Sequence, residues 1–285
     1  MVIGKKEHMY DVGIALILFL IGAVVLIPIM YVVSVSLSPL SAVLKYGFTL
    51  VPREISLEAY ARVFSDSLIP SAFQITLLST CIGVVLSVIL TLMFAYALSQ
   101  KDLPGRKVFI VIVIFTMLFS GGLIPTYILV KNLQLTNTIW ALILPDLIWT
   151  FCVIILRSFI EQLPQELLES ARVDGVGEWS ILLYIICPLS VPALMTVGMY
   201  YMVGYWNQYF AGILYITKTE MYPLQVAVRL ILAQSQDMYN NPDIVLPTKA
   251  MQMAVVVSAA LPVVAIYPFI QKHFTKGVLL GAVKG

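Results

Sequence analysis

Two stretches of this chain leave it little choice of solvent. Val12 to Leu44 is a run of 33 residues without a single charge, and Ser67 to Gln100 is a second of 34. A bilayer core takes about 20 apolar residues per helix, and only a helix satisfies its own backbone polar groups in that medium without neighbouring strands. The rest of the chain follows suit. Of 285 residues 60% are hydrophobic and only 11% charged, whereas soluble domains carry roughly a quarter of charged residues. The expected fold class is therefore all-α: a polytopic membrane protein in contact with lipid along most of its length.

The same numbers remove other classes. A formal charge of +2 with no dense Lys/Arg cluster gives no purchase on phosphate backbones, so nucleic acid is excluded as a partner. Cys81, Cys152 and Cys187 lie far apart inside apolar runs and lack the close Cys/His spacing of a metal site, so no metal is expected. The first apolar run is too long for a secretory leader and has no small-residue cleavage site, so it reads as a retained anchor.

Charged and Pro/Gly-rich breaks divide the chain into six expected spans of one domain, residues 1–285: about 12–38, 70–99, 108–130, 138–159, 181–215 and 250–271. The segment 45–66 reads as an extramembrane loop with an interfacial helix. Gly121 to Pro125 should bend or unwind the third span. Six spans place both termini on one side. That side holds ten Lys/Arg (Lys5, Lys6, Lys101, Arg106, Lys107, Arg157, Arg172, Lys272, Lys276, Lys284) and the other seven, so the positive-inside bias favours termini in the cytoplasm.

No phosphate-binding Gly-rich loop, nucleophile elbow or zinc-protease motif occurs, so the chain is expected to be no enzyme and to bind no cofactor itself. Attention passes to the charged island 161–192. Pro164 suits the first turn of a helix and Glu166 the favoured end of its dipole, while Gly175 and Gly177 should end it. Pro164 to Asp174 thus reads as a surface helix of about three turns. A second helix starts near Glu178 and runs without charge straight into the fifth span. A short amphipathic helix there is either an interfacial anchor or a docking element. Five acids and two bases between Arg157 and Glu178 favour docking.

The island carries Glu169-Ser170-Ala171, three residues, Gly175, nine residues and then Ile185-Ile186-Cys187-Pro188. This closely resembles the EAA loop of bacterial ABC importer permeases, with Ser170 in place of an alanine and Cys187 in place of a leucine. The chain as a whole is similar to the second permease subunit of oligosaccharide importers, the maltose-permease-like group. Phe119 to Pro145 and the tail Phe274 to Gly285 look like the branch that imports larger or unusual saccharides. The resemblance implies a permease of the bacterial cytoplasmic membrane with a cytoplasmic coupling helix. It also implies a second homologous permease subunit, a cytoplasmic ATPase dimer that binds ATP and Mg, and an extracytoplasmic solute-binding protein. The cargo would be an oligosaccharide, neutral or acidic, such as alginate fragments. The coupling residues would be Glu169, Ser170, Ala171, Asp174, Gly175 and Pro188: Glu169 pairing with a partner Arg, Ser170 and Ala171 allowing close approach, Gly175 making the turn.

Tyr205, Trp206, Asn207 and Tyr209 offer aromatic faces and an amide that suit sugar rings and hydroxyls, and are the candidate substrate pathway. An interfacial aromatic belt is the competing reading. Asp146, an acid inside a span, reads first as a structural cap. The polar segment Lys218 to Lys249, with Tyr222, Pro223, Gln225, Asn240, Asn241 and Pro242, would meet the binding protein or be a solvated loop. The competing function is an ion-coupled secondary carrier, for which only Asp146 and Arg157 are available as coupling charges and no inverted repeat is evident.

Overall fold

The computed structural model of the chain describes residues 5–234 and 248–282, and among these there is no strand. In chain order the helices are α1 (Lys5–Ser36), α2 (Leu40–Tyr46), α3 (Glu58–Ser65), α4 (Leu68–Ser99), α5 (Arg106–Leu118), α6 (Leu123–Asn132), α7 (Ile139–Ile143), α8 (Thr150–Ile160), α9 (Gln165–Val173), α10 (Glu178–Ile181), α11 (Cys187–Leu189), α12 (Val191–Trp206), α13 (Phe210–Tyr215), α14 (Leu224–Gln234) and α15 (Lys249–Ala282). Among the described residues three stretches are long and apolar enough to cross a membrane unbroken: Val12–Ser36, Leu68–Ser99 and Lys249–Ile266. Three further crossings exist if α5 with α6, α7 with α8, and α10–α11 with α12 each count as one bent span; these pairs turn by 107°, 53° and 83°.

The bends have local causes. Gly122 at φ +86° precedes α6 and Pro125 sits in its first turn, where a missing N–H costs no helical bond. The break runs from Phe119 to Gly122 and overlaps the start of the Gly121 to Pro125 stretch where the sequence places a bend. The 83° turn differs from expectation, because the helix that begins at Glu178 does not run straight into the fifth span. Leu182–Ile186 is a π-helical stretch, Cys187 N–H closing back on the Leu182 carbonyl, and Pro188 follows without a donor of its own. Ser190 then forms the corner at φ −91°, ψ 3°, and Pro192 occupies the start of α12.

The chain divides into two compact units, residues 1–69 with 228–261 and residues 70–227 with 262–285. In the first, the Val12–Ser36 part of α1 is strongly apolar, and along most of it large side chains such as Phe19 and Val24 are exposed. Only its C-terminal end is packed. Val35, Ser34 and Ser36 are buried there, Ser36 Oγ shares a hydrogen bond of 2.9 Å with Tyr60 Oη of α3, and Ser56 N–H donates to the Leu37 carbonyl at 2.8 Å. Lys249, opening α15, lies 5.6 Å over the Tyr31 ring.

The second unit holds the main core: Leu92 and Ala95 of α4, Cys152, Val153, Leu156 and Ile160 of α8, Leu168 and Ala171 of α9, Ile181 of α10, and Val197, Tyr201 and Tyr205 of α12. Its centre is polar as well as apolar. Tyr201 Oη is 2.7 Å from Thr91 Oγ1 and accepts the Trp149 N–H at 2.8 Å. One turn on, Tyr205 Oη is 3.0 Å from Ser87 Oγ and reaches the carbonyls of Ile143 and Asp146 at 3.2 and 3.3 Å. The break between α7 and α8 leaves those backbone groups without helical partners, and the two hydroxyls take them up. Close approach makes this geometry: a Cβ on Gly204 would collide with the Trp149 ring.

The segment counted as polar from Lys218 onward is in part a helix. Leu224, Val226 and Ala227 of α14 are buried, and Leu224 N–H donates to Thr76 Oγ1 at 2.7 Å. Tyr222, Pro223 and Gln225 fall at its start, so a wholly solvated loop is ruled out over this part. Asn240, Asn241 and Pro242 lie outside the described residues.

Candidate functional site

The surface helix expected at Pro164 to Asp174 is α9. Pro164 precedes it with φ −57°, ψ 116°, a conformation that cannot continue a helix backwards. At the other end Val176 N–H donates to the Ala171 carbonyl at 3.0 Å and Gly175 N–H to that of Arg172 at 3.0 Å, the paired closure that requires a left-handed residue. Gly175 supplies it at φ +77°, with open space around where a Cβ would stand. The demand for glycine here is conformational rather than steric.

The helix is amphipathic with a defined inner face. Leu168 and Ala171 are 2% and 8% exposed and belong to the main core. Glu166, Glu169, Ser170 and Val173 point outward, followed by exposed Asp174, Gly175, Val176 and Trp179. Burial thus corrects the expected role of Ala171. It presses against its own core, and only Ser170, whose hydroxyl donates to the Leu167 carbonyl at 3.1 Å, offers a small side chain on the outer face. Pro188 also stands apart from that face: it is exposed just before the Ser190 corner, where its missing N–H helps to turn the helix. Glu169, Ser170, Asp174 and Gly175 remain as one contiguous exposed patch.

Two ionic clusters flank this helix. Glu161 accepts both Arg106 Nη2 and Arg157, the latter at 2.8 Å, and Arg106 Nε donates to the Leu98 carbonyl at 2.9 Å. That carboxylate joins the start of α5 to the end of α8, and Arg106 links both to the end of α4. Arg172 Nε donates to Glu178 Oε1 at 2.8 Å and its Nη2 to Gln100 Oε1 at 2.5 Å, while Tyr96 Oη donates to Glu178 Oε2. Hydrogen bonding to Glu178 raises the Arg172 guanidinium further above its ordinary value, so it stays cationic at every physiological pH. Sequence reading counted Arg172 and Glu178 as charges but had no means to join them to Tyr96 and Gln100, which lie more than 70 residues away.

The four candidate pathway residues separate. Tyr205 and Trp206 are 2% and 4% exposed; Tyr205 spends its hydroxyl on Ser87 and on backbone carbonyls, so it is a strut of the core and not a free wall for a sugar. Asn207 is exposed and holds Gln225 Nε2 at 3.3 Å, and Tyr209 is half-buried beside Phe210. Asp146 ends a single 3-10 turn, Leu144–Asp146, with its side chain exposed and its carbonyl bonded by Tyr205, in keeping with a structural part. An apolar cavity of about 620 Å³ lies among Val84, Val88, Met195, Met199, Trp206 and Pro262. That lining gives sugar hydroxyls almost nothing to bond. No cluster able to hold a metal ion occurs among the described residues.

Comparison with known proteins agrees with this architecture over the full length. The chain is 40% identical over 285 residues to the polygalacturonan/rhamnogalacturonan transport system permease protein YtcP of Bacillus subtilis (strain 168), covering 98% of this chain and 100% of that one. It is 39% identical to protein LplC of the same organism, covering 99% and 97%. Among solved structures, a chain of a bacterial ABC transporter involved in the import of the acidic polysaccharide alginate superposes with a TM-score of 0.87 at 29% identity, covering 96% of this chain and 99% of that one. Residues 12–280 match the family model described as binding-protein-dependent transport system inner membrane component, and the chain belongs to that family of membrane permeases.

Proposed function

We propose that this chain is one of two permease subunits of an ATP-driven importer for oligosaccharides that contain acidic sugars. The observation that carries the cargo class is the end-to-end 40% identity to a polygalacturonan/rhamnogalacturonan permease. The 0.87 superposition on a subunit of an alginate importer agrees, since both names denote polysaccharides that contain uronic acids. In this reading the chain crosses the cytoplasmic membrane six times with both termini inside. A solute-binding protein delivers the saccharide from outside, a second permease completes the pathway, and ATP with Mg is bound by a cytoplasmic ATPase dimer and not by this chain.

The exposed patch of α9 is where the ATPase docks. Glu169 and Asp174 offer carboxylates to a cationic cleft, Val173 and Trp179 add apolar contact, and Ser170 keeps the middle of the face low. Gly175 sets the turn through which movement of α9 passes to α10, and Pro188 shapes the corner beyond it. Ala171 anchors the helix from within. ATPase closure then selects between two orientations of this segment, as a ligand with different affinities for two states must. Asn207 and Tyr209 are the pathway candidates that keep exposed polar or aromatic surface, with Trp206 and Tyr205 supporting them from the core.

The test is uptake by the assembled complex in liposomes supplied with binding protein. Labelled oligogalacturonides should accumulate when ATP is enclosed and should not when an ion gradient replaces it. Accumulation driven by the gradient alone would indicate a secondary carrier, and uptake of neutral oligosaccharides in preference to acidic ones would overturn the cargo class.

A further inference from the structure

The turn after α9 contains two glycines, Gly175 and Gly177, and left to itself such a segment transmits little, because a flexible joint absorbs displacement. The structure braces it from the side. Arg172, in the last turn of α9, reaches across the glycines to Glu178, the first residue of α10, with its Nε 2.8 Å from Oε1 and Nη2 3.4 Å from Oε2. The same Nη2 bonds Gln100 Oε1 at 2.5 Å, and the second carboxylate oxygen of Glu178 accepts Tyr96 Oη. The amide of Gln100 is oriented independently, its Nε2 donating to the Tyr96 carbonyl at 3.3 Å and to Ser99 Oγ at 3.2 Å, so Oε1 faces the guanidinium by construction. Tyr96 itself is only 7% exposed. Four side chains from α9, α10 and the end of α4 therefore close one ring of hydrogen bonds around the joint.

As a source of stability this pair is minor. The Arg172 and Glu178 side chains are 34% and 57% exposed, and pairs so open to water contribute little. Their geometry matters more: a guanidinium fixes direction through its planar fork, which a lysine in the same place does not. We infer that Arg172 is a positioning residue that locks the surface helix to the inner end of α4, so that displacement of α9 is delivered to α4 as well as along its own chain through the bent Ser190 corner. The inference rests on the docking of α9 proposed above and adds a second route for the stroke. Without the clasp, α9 swivels at Gly175 and ATP is hydrolysed with less cargo moved. Loss of coupling rather than loss of assembly is its signature, because Leu168 and Ala171 still hold α9 to the core.

The experiment uses the complete complex and two readouts. Amide hydrogen exchange of residues 165–173 needs no cargo; saccharide taken up per ATP hydrolysed does. Arg172→Gln should speed exchange in α9, and not in α12, by about fivefold or more and lower the coupling ratio by a similar factor, the low end of measured coupling between sites. Tyr96→Phe, which removes one oxygen and leaves the packed ring, should give a smaller change of the same kind. Arg172→Lys keeps the charge but lacks the planar fork that reaches Glu178 and Gln100 together, so it should recover only a small part of either readout. The inference is overturned if Arg172→Gln leaves exchange and coupling ratio unchanged, or if Arg172→Lys behaves as the unaltered complex in both. Absence of ATP-driven uptake in the unaltered complex would sink the proposed function instead, and the exchange data would still decide the clasp.

Discussion

The tyrosine ladder at the α7–α8 break and the clasp at the α9–α10 joint solve one problem in two chemistries. Both serve places where helices break or end. At the α7–α8 break the partners are neutral hydroxyls, Tyr201 and Tyr205 bonding Thr91, Ser87 and bare backbone groups. At the α9–α10 joint they are a guanidinium and a carboxylate. The difference follows burial: Tyr201 and Tyr205 are enclosed in the core, whereas Arg172 and Glu178 keep partial access to water. An ion in hydrocarbon loses its hydration without return, whereas a neutral hydroxyl already inside a packed core gains the full value of a bond that water cannot replace. Charges with partial access to water keep part of their hydration and can stand at such a joint. The ladder thus holds a break inside the core, and the clasp holds a joint at its surface.

Four substitutions probe that contrast, in descending order of effect. Tyr205→Ala removes a buried ring and the hydroxyl that serves Ile143 and Asp146; loss of a large core aromatic costs about 3–5 kcal/mol, and the thermal midpoint of the purified complex should collapse. Tyr201→Phe keeps the ring but strands Trp149 N–H and Thr91, which costs about 1–3 kcal/mol and should lower the midpoint by less. Glu161→Gln takes the shared carboxylate from Arg106 and Arg157. Because all three side chains are partly exposed, it should cost about 1 kcal/mol and shrink further as salt is added, while the cost of Tyr201→Phe stays constant with salt. Arg62→Ala breaks only an exposed pair with Glu58 within α3; it should cost about 0.5 kcal/mol or less and barely move the midpoint. An ordering in which Glu161→Gln exceeds Tyr201→Phe would reverse the comparison.

Features whose causes are local were legible from sequence. Pro164 and Gly175 bracket α9 because a proline favours a helix start and a left-handed glycine a helix end; Gly121 to Pro125 breaks the third span for similar reasons. Features set by distant partners were not. Tyr205 looked like a sugar platform because nothing in MYYMVGYWNQYF reveals that Ser87 and the α7–α8 break stand opposite it. Ala171 looked exposed because the phase of a helix only three turns long is fixed by the core it meets. The Ser190 corner was missed because proline 188 alone is compatible with a straight span, and the π-helical stretch before it leaves no signature in composition. The buried start of α14 was hidden by the flanking lysines 218 and 249.

The proposed function depends on the ATPase acting at the outer face of α9. Its most direct measurement is the uptake of oligogalacturonide per ATP hydrolysed by reconstituted complexes carrying Glu169→Lys, with subunit content verified by purification. Reversing that charge on an exposed helix leaves the core residues Leu168 and Ala171 in place, so the permease should still fold. The prediction is a fall of about tenfold or more, the equivalent of about 1.4 kcal/mol at the docking contact. Unchanged uptake by a fully assembled Glu169→Lys complex would contradict it.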